Sequence, residues 1–561
     1  MELIKKLIKD KRTRYIVTGV HILCTFLWAG RVLKNVGVDP VGTKAVNSFV
    51  SDGFERVMTF ALTEAFAVLL IYFLWRLVFR VLNNFKKEYL IFIGIFVLGG
   101  LVVMLSWPNV FTWIAGYDHD DNMVAYSYAV RLVPDYWHSI YQSVLYGAAL
   151  LVLPLDFMIT LTQWTGFVYM VSYIYFRAKR KGGKLRFLVF LIFLLPSTFE
   201  VMSYGHRIMI YIILALVYTA YIFFDFLENR ERSLKEDIFL AVFGAFLSVY
   251  RSEGLVIAVL LYGIYVIFHG NRSVKGIFGR IGVFAGCFLL LYVPQKIGSI
   301  KYYGEDYSIM NSFRRLQIIF NSGEANLSYK GVEEDIAAIE AVTPVSAIAE
   351  YGVYGYRVYN YSVLGHADMN QSMAAEGGKA YIKAYHSILL HNPKLMAKIT
   401  LDSIVVALSD KHLYKFANYT DEHHEIGWWE YGGWDSGQAD MFGNRHTAFI
   451  KGITEKLPVY KGFRGAADAL AKFWHLGNAY MIAYFLMFFG NLALFVKGLA
   501  DCIVKRDKTK LGVGFLHLST AVLLIATVVA MPEPYSLYFM ISGYLLLFML
   551  FAALCGARKA K

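Results

Sequence analysis

The hydrophobic positions of this chain come in long blocks, without the short alternation of half-buried strands or the one-sided stripe of soluble helices. The blocks run to roughly 17 to 22 residues, the length that carries a helix across about 30 Å of hydrocarbon. Lipid offers the backbone no hydrogen-bond partners, so each block is predicted to be a helix that satisfies itself. The predicted spans are residues 15–32, 58–82, 89–107, 156–176, 187–202, 208–226, 238–250, 255–268 and 281–293. After a long gap come 479–496, 511–530 and 535–555. The expectation is an all-α polytopic membrane protein of about twelve transmembrane helices.

Polar residues between the blocks set the orientation. Lysine and arginine collect in 5–14, 80–87, 177–186, 230–235, 272–280, 497–510 and 558–561. These stretches alternate correctly if all are cytoplasmic, which places both termini inside. Residues 139–153 are apolar enough to form a further span, but counting them would put Arg177, Lys179, Arg180, Lys181 and Lys184 outside. They are read instead as a helix lying at the outer interface or dipping into the membrane, anchored by Tyr136, Trp137 and His138. The first block lacks a small-residue cleavage site and is read as an uncleaved anchor.

The resulting organisation has three parts. Residues 1–294 form an N-terminal transmembrane module with an outer loop at 108–138, residues 295–477 an extracytoplasmic insertion, mainly α or α+β, and residues 478–561 the closing helices. The insertion is too long for a connecting loop and is expected to fold around its own small core.

Composition agrees with this class. Of 561 residues, 57% are hydrophobic and 17% charged, and the mean hydropathy is +0.47. A net charge of +13 and a pI near 9.2 raise the question of nucleic acid, but the basic residues are scattered over many short inner loops, so topology accounts for them and no nucleic-acid partner is expected. Cys24, Cys287, Cys502 and Cys555 fall in or beside spans, with no disulfide or zinc spacing.

Candidate chemistry gathers on the outer side. Asp118, Asp120 and Asp121 flank His119 ahead of a helical stretch beginning at Met123. One acid there would cap a helix, whereas clustered acids at a membrane surface coordinate a cation or act as a base. Mg2+ or Mn2+ would suit Asp118 and Asp120, and whether a metal is required stays open. Glu200, His206 and Arg207 form a second group, and Arg251 and Glu253 a third in a very short turn, where the competing reading is a local ion pair. In the insertion Trp428, Trp429 and Trp434 stand among acids and suit the stacking faces of sugar rings, or else anchor a small core. His423 and His424 are adjacent and do not have the spacing of a zinc site. Asn326 and Asn418 each begin an Asn-x-Ser/Thr tripeptide, a pattern common by chance.

An arginine at the membrane surface holds a phosphate bidentately, and an aspartate accepts the proton of an attacking hydroxyl. A polytopic chain with an acidic motif in an early outer loop, the turn Arg251-Ser252-Glu253-Gly254-Leu255, and the turn Met531-Pro532-Glu533-Pro534-Tyr535 before the last span resembles the GT-C superfamily of membrane glycosyltransferases. The stretch His391-Asn392-Pro393, followed by amphipathic 394–408, is similar to the segment before the late spans of bacterial members. The resemblance implies an enzyme with a polyprenyl-phosphate sugar donor, a glycan, lipid or protein acceptor of the cell envelope, and a base among Asp118, Asp120 and Asp121. It implies Arg251, helped by His206 or Arg207, as the phosphate holder, with Glu200 and Glu253 assisting acceptor or metal. The family's arginine in the late proline turn is missing here, which shifts that contact to one of these residues. The competing functions are a polysaccharide polymerase or ligase using lipid-linked glycans and a transporter or flippase, which would place ionisable groups near the bilayer midplane.

Overall fold

The computed structural model describes residues 10–34, 53–83, 86–99, 125, 128–129, 132–153, 158–182, 189–190, 207–269, 273–351, 377–409, 469 and 479–530. The described residues are nearly all helical, with no strand among them. In chain order the helices are α1 (Lys11–Lys34), α2 (Gly53–Asn83), α3 (Lys87–Gly94, continued by a π-turn over Ile95–Gly99), α4 (Ile140–Val152), α5 (Met158–Gly182), α6 (Arg207–Glu228), α7 (Leu234–Tyr250), α8 (Ser252–Phe268) and α9 (Val274–Tyr303). They continue with α10 (Asp306–Phe320), α11 (Val332–Glu340), α12 (Val345–Tyr351), α13 (Gly378–His391), α14 (Pro393–Ser409), α15 (Ala479–Lys505) and α16 (Lys508–Ala530). The expected spans at 187–202 (189–190 apart) and 535–555 lie outside the described residues.

Local sequence explains many of the boundaries. Asp10 accepts hydrogen bonds from the backbone of Arg12 and Thr13 and so caps α1. Ser233 and Glu236 form a reciprocal capping box at the start of α7, and Ser139 and Ser273 cap α4 and α9. Among the described residues, four helices are long and apolar enough to cross a membrane: Gly53–Asn83, Met209–Glu228, Val274–Tyr303 and Lys508–Ile525. α9 packs one side against the bundle but buries few residues completely, and Leu289, Leu290 and Ile297 are exposed. Apolar surface on this scale calls for a nonaqueous neighbour, and lipid supplies one.

The helix formed by residues 140–152 departs from an interfacial lie. Every residue of α4 except Leu145 is buried, because α2, α1, α5 and α7 enclose it. An interfacial helix keeps one face in water and one in the acyl boundary. α4 has no such pair of free faces: it is enclosed within the bundle rather than laid along its surface. The close approach of α2 depends on Gly147, where a Cβ would lie 2.9 Å from Thr63 Cγ2. Ala29, Ala67, Ala148, Leu132 and Leu151 fill the crossing of α1, α2 and α4, small residues letting the backbones come together.

α7, α8 and α9 pack as neighbours, and α15 and α16 form an antiparallel pair whose backbones meet at Gly498 and Gly514. At one end of the bundle, acids and bases pair between elements: Arg232 with Asp225, Arg230 with Glu236, Arg280 with Asp237 at 2.6 Å and Arg177 with Glu228 at 2.9 Å. This is the basic end. At the other end, α9 runs on past Pro294 to Tyr303 and leads directly into α10. There α10 to α14 enclose a second core of Ile309, Phe313, Leu316, Ile348, Tyr381 and Ile388. Within it Tyr329 stacks on His391 at 3.7 Å and donates to Asp335, and burial pushes its phenol up to about 12.

Candidate functional site at the insertion end of the bundle

Four segments meet where the bundle adjoins the insertion: the turn before α4, the α7–α8 junction, the end of α9 with the start of α10, and the first turn of α2. Each reaches this place for a local reason.

The α7–α8 junction is a single extended residue. Arg251 has φ −149° and ψ 150°, ending one helix and capping the next. Gly254 follows because the chain turns so sharply that a Cβ there would lie 1.9 Å from the carbonyl oxygen of Leu247. The Arg251 guanidinium lies between 3.0 and 3.1 Å from both oxygens of Glu253, through Nη2 and Nε; Glu253 is buried and the Arg251 side chain is one-tenth exposed. Beneath it, the Tyr211 ring of α6 lies 5.9 Å from the guanidinium carbon and stacks on Tyr250. Burial works against the charge on Arg251, but the Glu253 carboxylate outweighs it and the group stays protonated.

The turn over 134–139 forms the facing wall. Asp135 is completely buried and accepts three hydrogen bonds: from the backbone N–H of Trp137 and of His138, each at 3.1 Å, and from His138 Nδ1 at 2.9 Å. A carboxylate only accepts, so the His138 hydrogen belongs on Nδ1 in this network. Distant elements hold the turn in place. Ser139 Oγ donates to the carbonyl of Val249 at 2.9 Å and Gln142 Nε2 to that of Tyr250 at 3.3 Å, satisfying carbonyls that the end of α7 leaves open. Gln295 of α9 accepts from the N–H of Ile140 at 2.8 Å and donates to the carbonyl of Tyr136 at 3.2 Å.

Aromatic rings pack beside these groups. Trp137 meets Tyr303 and Tyr307 edge-on, with centroids 4.9 and 5.5 Å apart, and Tyr136 stacks on Tyr302. Gly298 permits the second stack, since a Cβ there would lie 2.1 Å from the Tyr136 ring. Glu55 of α2 closes the rim, accepting from Lys301 at 3.2 Å and from the Tyr302 hydroxyl at 2.7 Å.

Of the residues singled out from sequence, this arrangement joins Arg251 and Glu253, and Arg207 opens α6 one turn before Tyr211. Asp118, Asp120, Asp121, Glu200, His206, Trp428, Trp429 and Trp434 lie outside the described residues. Asp135, His138, Trp137, Tyr307 and Glu55 were not among the sequence candidates. The run Asp135-Tyr136-Trp137-His138 carries a signal for this turn, an acid and a histidine three apart beside two aromatics, but the same aromatics also have the character of an interfacial anchor. Among the described residues no three His, Cys, Asp or Glu side chains converge as metal ligands. Asn392 is a structural pin, its side chain accepting from the N–H of Asn326 at 2.7 Å and donating to the carbonyl of Ile388 at 2.9 Å.

The site thus combines a buried guanidinium, an oriented imidazole and an aromatic wall at the edge of an apolar bundle. Such a place can hold an anionic headgroup against the cation and the apolar face of a polar ring against the aromatics. The chain matches no family model, no curated protein and no solved structure.

Proposed function

We propose that the chain is an inverting glycosyltransferase of GT-C type, with about twelve spans, both termini cytoplasmic and the insertion end facing outward. It takes a sugar from a polyprenyl phosphate and passes it to a glycan, lipid or protein of the cell envelope. The observation that carries this reading is Arg251, a guanidinium buried beside an aromatic wall where apolar bundle gives way to polar domain. A lipid-linked phosphate sugar has the same three parts in the same order: an apolar chain, an anion and a polar ring.

In the proposed reaction the acceptor hydroxyl attacks the anomeric carbon as the bond from that carbon to the phosphate oxygen breaks. The hydroxyl proton passes to Asp120, with Asp118 or Asp121 as the alternative base, and the leaving group departs as polyprenyl phosphate. It leaves as an anion, so no acid need protonate it; positive charge suffices. Glu253 occupies Nε and Nη2 of Arg251, so a phosphate would meet the Nη1 edge while the carboxylate holds the fork in position.

The test is release of polyprenyl phosphate from labelled donors by purified protein supplied with acceptor-containing membranes. Wild-type turnover that one of Asp118→Asn, Asp120→Asn or Asp121→Asn abolishes, with folding retained, supports the reading and identifies the base. Turnover indifferent to all three and to Arg251→Ala removes the proposed site. The transporter reading has one observation on its side: Glu64, an acid buried inside α2.

A further inference from the structure

Glu64 stands about 13 Å along the axis of α2 from Glu55, well inside the apolar part of that helix. It is 5% exposed. Its hydrogen-bond partner is Thr25 of α1, whose Oγ lies 2.7 Å from Glu64 Oε2 and also 2.7 Å from the carbonyl oxygen of Ile22. A threonine hydroxyl has one hydrogen to give, and a backbone carbonyl has none. Thr25 therefore cannot donate in both directions. Both contacts are hydrogen bonds at once only if Thr25 donates to Ile22 and Glu64 donates to Thr25 from a protonated Oε2; an ionised Glu64 would take the Thr25 hydrogen and leave the Ile22 contact without one.

The surroundings favour the same form. Glu64 Oε1 and the Thr63 hydroxyl are buried with no hydrogen-bond partner among the described residues. A neutral carbonyl oxygen bears that at modest cost; the charge of a carboxylate does not. Of the titratable groups on the elements packed against α2, His21 and Cys24 are the ones of α1 nearest Thr25 along the helix, with Lys11, Arg12, Arg14 and Tyr15 toward its start and Arg31 and Lys34 toward its end, and α4 carries Tyr141 and Tyr146. Both nitrogens of His21 are engaged, Nδ1 accepting from Trp75 Nε1 at 3.0 Å and Nε2 donating to the carbonyl of Val152 at 2.6 Å. On α2 itself the nearest cation along the chain toward the insertion end is Arg56, more than two turns away, and Lys301 is engaged by Glu55.

We propose that Glu64 is a proton-binding site within the bundle: a carboxylic acid, neutral at about pH 7, whose O–H donates to Thr25 and ties α1 to α2. Ionisation breaks the Oε2–H bond, sends the proton to water and removes the donor from this link. Glu64 is thereby suited to take up and release a proton at the contact of α1 with α2, independently of the glycosyl-transfer chemistry proposed above.

The experiment is an infrared difference spectrum, wild type minus Glu64→Gln, of the full chain in lipid nanodiscs. The expected result is an un-ionised acid carbonyl band at about pH 7 that moves in D2O and moves again in Thr25→Val. Carboxylate bands instead, titrating near the ordinary glutamate value of about 4.3, overturn the proposal. Thermal unfolding gives a second reading. Glu64→Gln, whose amide can donate to Thr25, should melt with wild type and Glu64→Ala below it, whereas equal losses in both would also overturn it.

Discussion

Arg251 and Glu253 show how much two side chains can settle when they are buried together. Breaking such a pair leaves a charge stranded, so Glu253→Gln should cost about 3 kcal/mol, read as an earlier unfolding transition in detergent. Arg251→Lys keeps the charge but loses the planar fork. On the proposed function, it should lower donor turnover by about two orders of magnitude, measured as released polyprenyl phosphate. Gly254 tolerates no side chain against the Leu247 carbonyl, and Gly254→Ala should destabilise by roughly 3 kcal/mol or shift α8 out of register. All three residues were legible in the sequence because they lie within four positions of one another. Asp135 and His138 were not, because the turn that presents them is held by Val249, Tyr250 and Gln295, more than 100 residues away.

Among the elements, α4 is the one whose environment decides its role. Its residues are apolar enough for either surface or interior, and the choice rests on the fit of Gly147 against Thr63. Gly147→Val should push α2 from α4 at a cost of about 2 kcal/mol, visible as a lower melting temperature. The start of α7 carries a pH dependence. The backbone N–H of Ser233 holds the Glu236 carboxyl below the usual range, so its contribution is present above about pH 4.3 and is lost as pH falls through the lower folded-state value. Glu236→Gln should therefore flatten the acid limb of the stability profile. Helix ends show a related lesson: α9 extends well beyond the apolar block at 281–293, because a helix continues wherever its backbone bonds continue, in lipid or out of it.

Across the whole molecule, the basic end and the insertion end are predicted to face opposite sides of a membrane. With native cysteines replaced, a cysteine introduced at exposed Glu324 should react with an impermeant thiol reagent in intact cells, and one at exposed Lys505 only after lysis. Reaction of both before lysis would contradict the orientation. The sequence by itself determined the helical class, the presence of apolar segments long enough to span and the Arg251–Glu253 turn, since each depends on composition or on neighbours in the chain. Only the tertiary structure decided that α4 lies inside the bundle, that Asp135 and His138 stand at the same end as Arg251, and that Glu64 is enclosed with Thr25. Those facts depend on close packing between helices far apart in sequence, where a missing Cβ or a single shared hydrogen determines which surfaces meet.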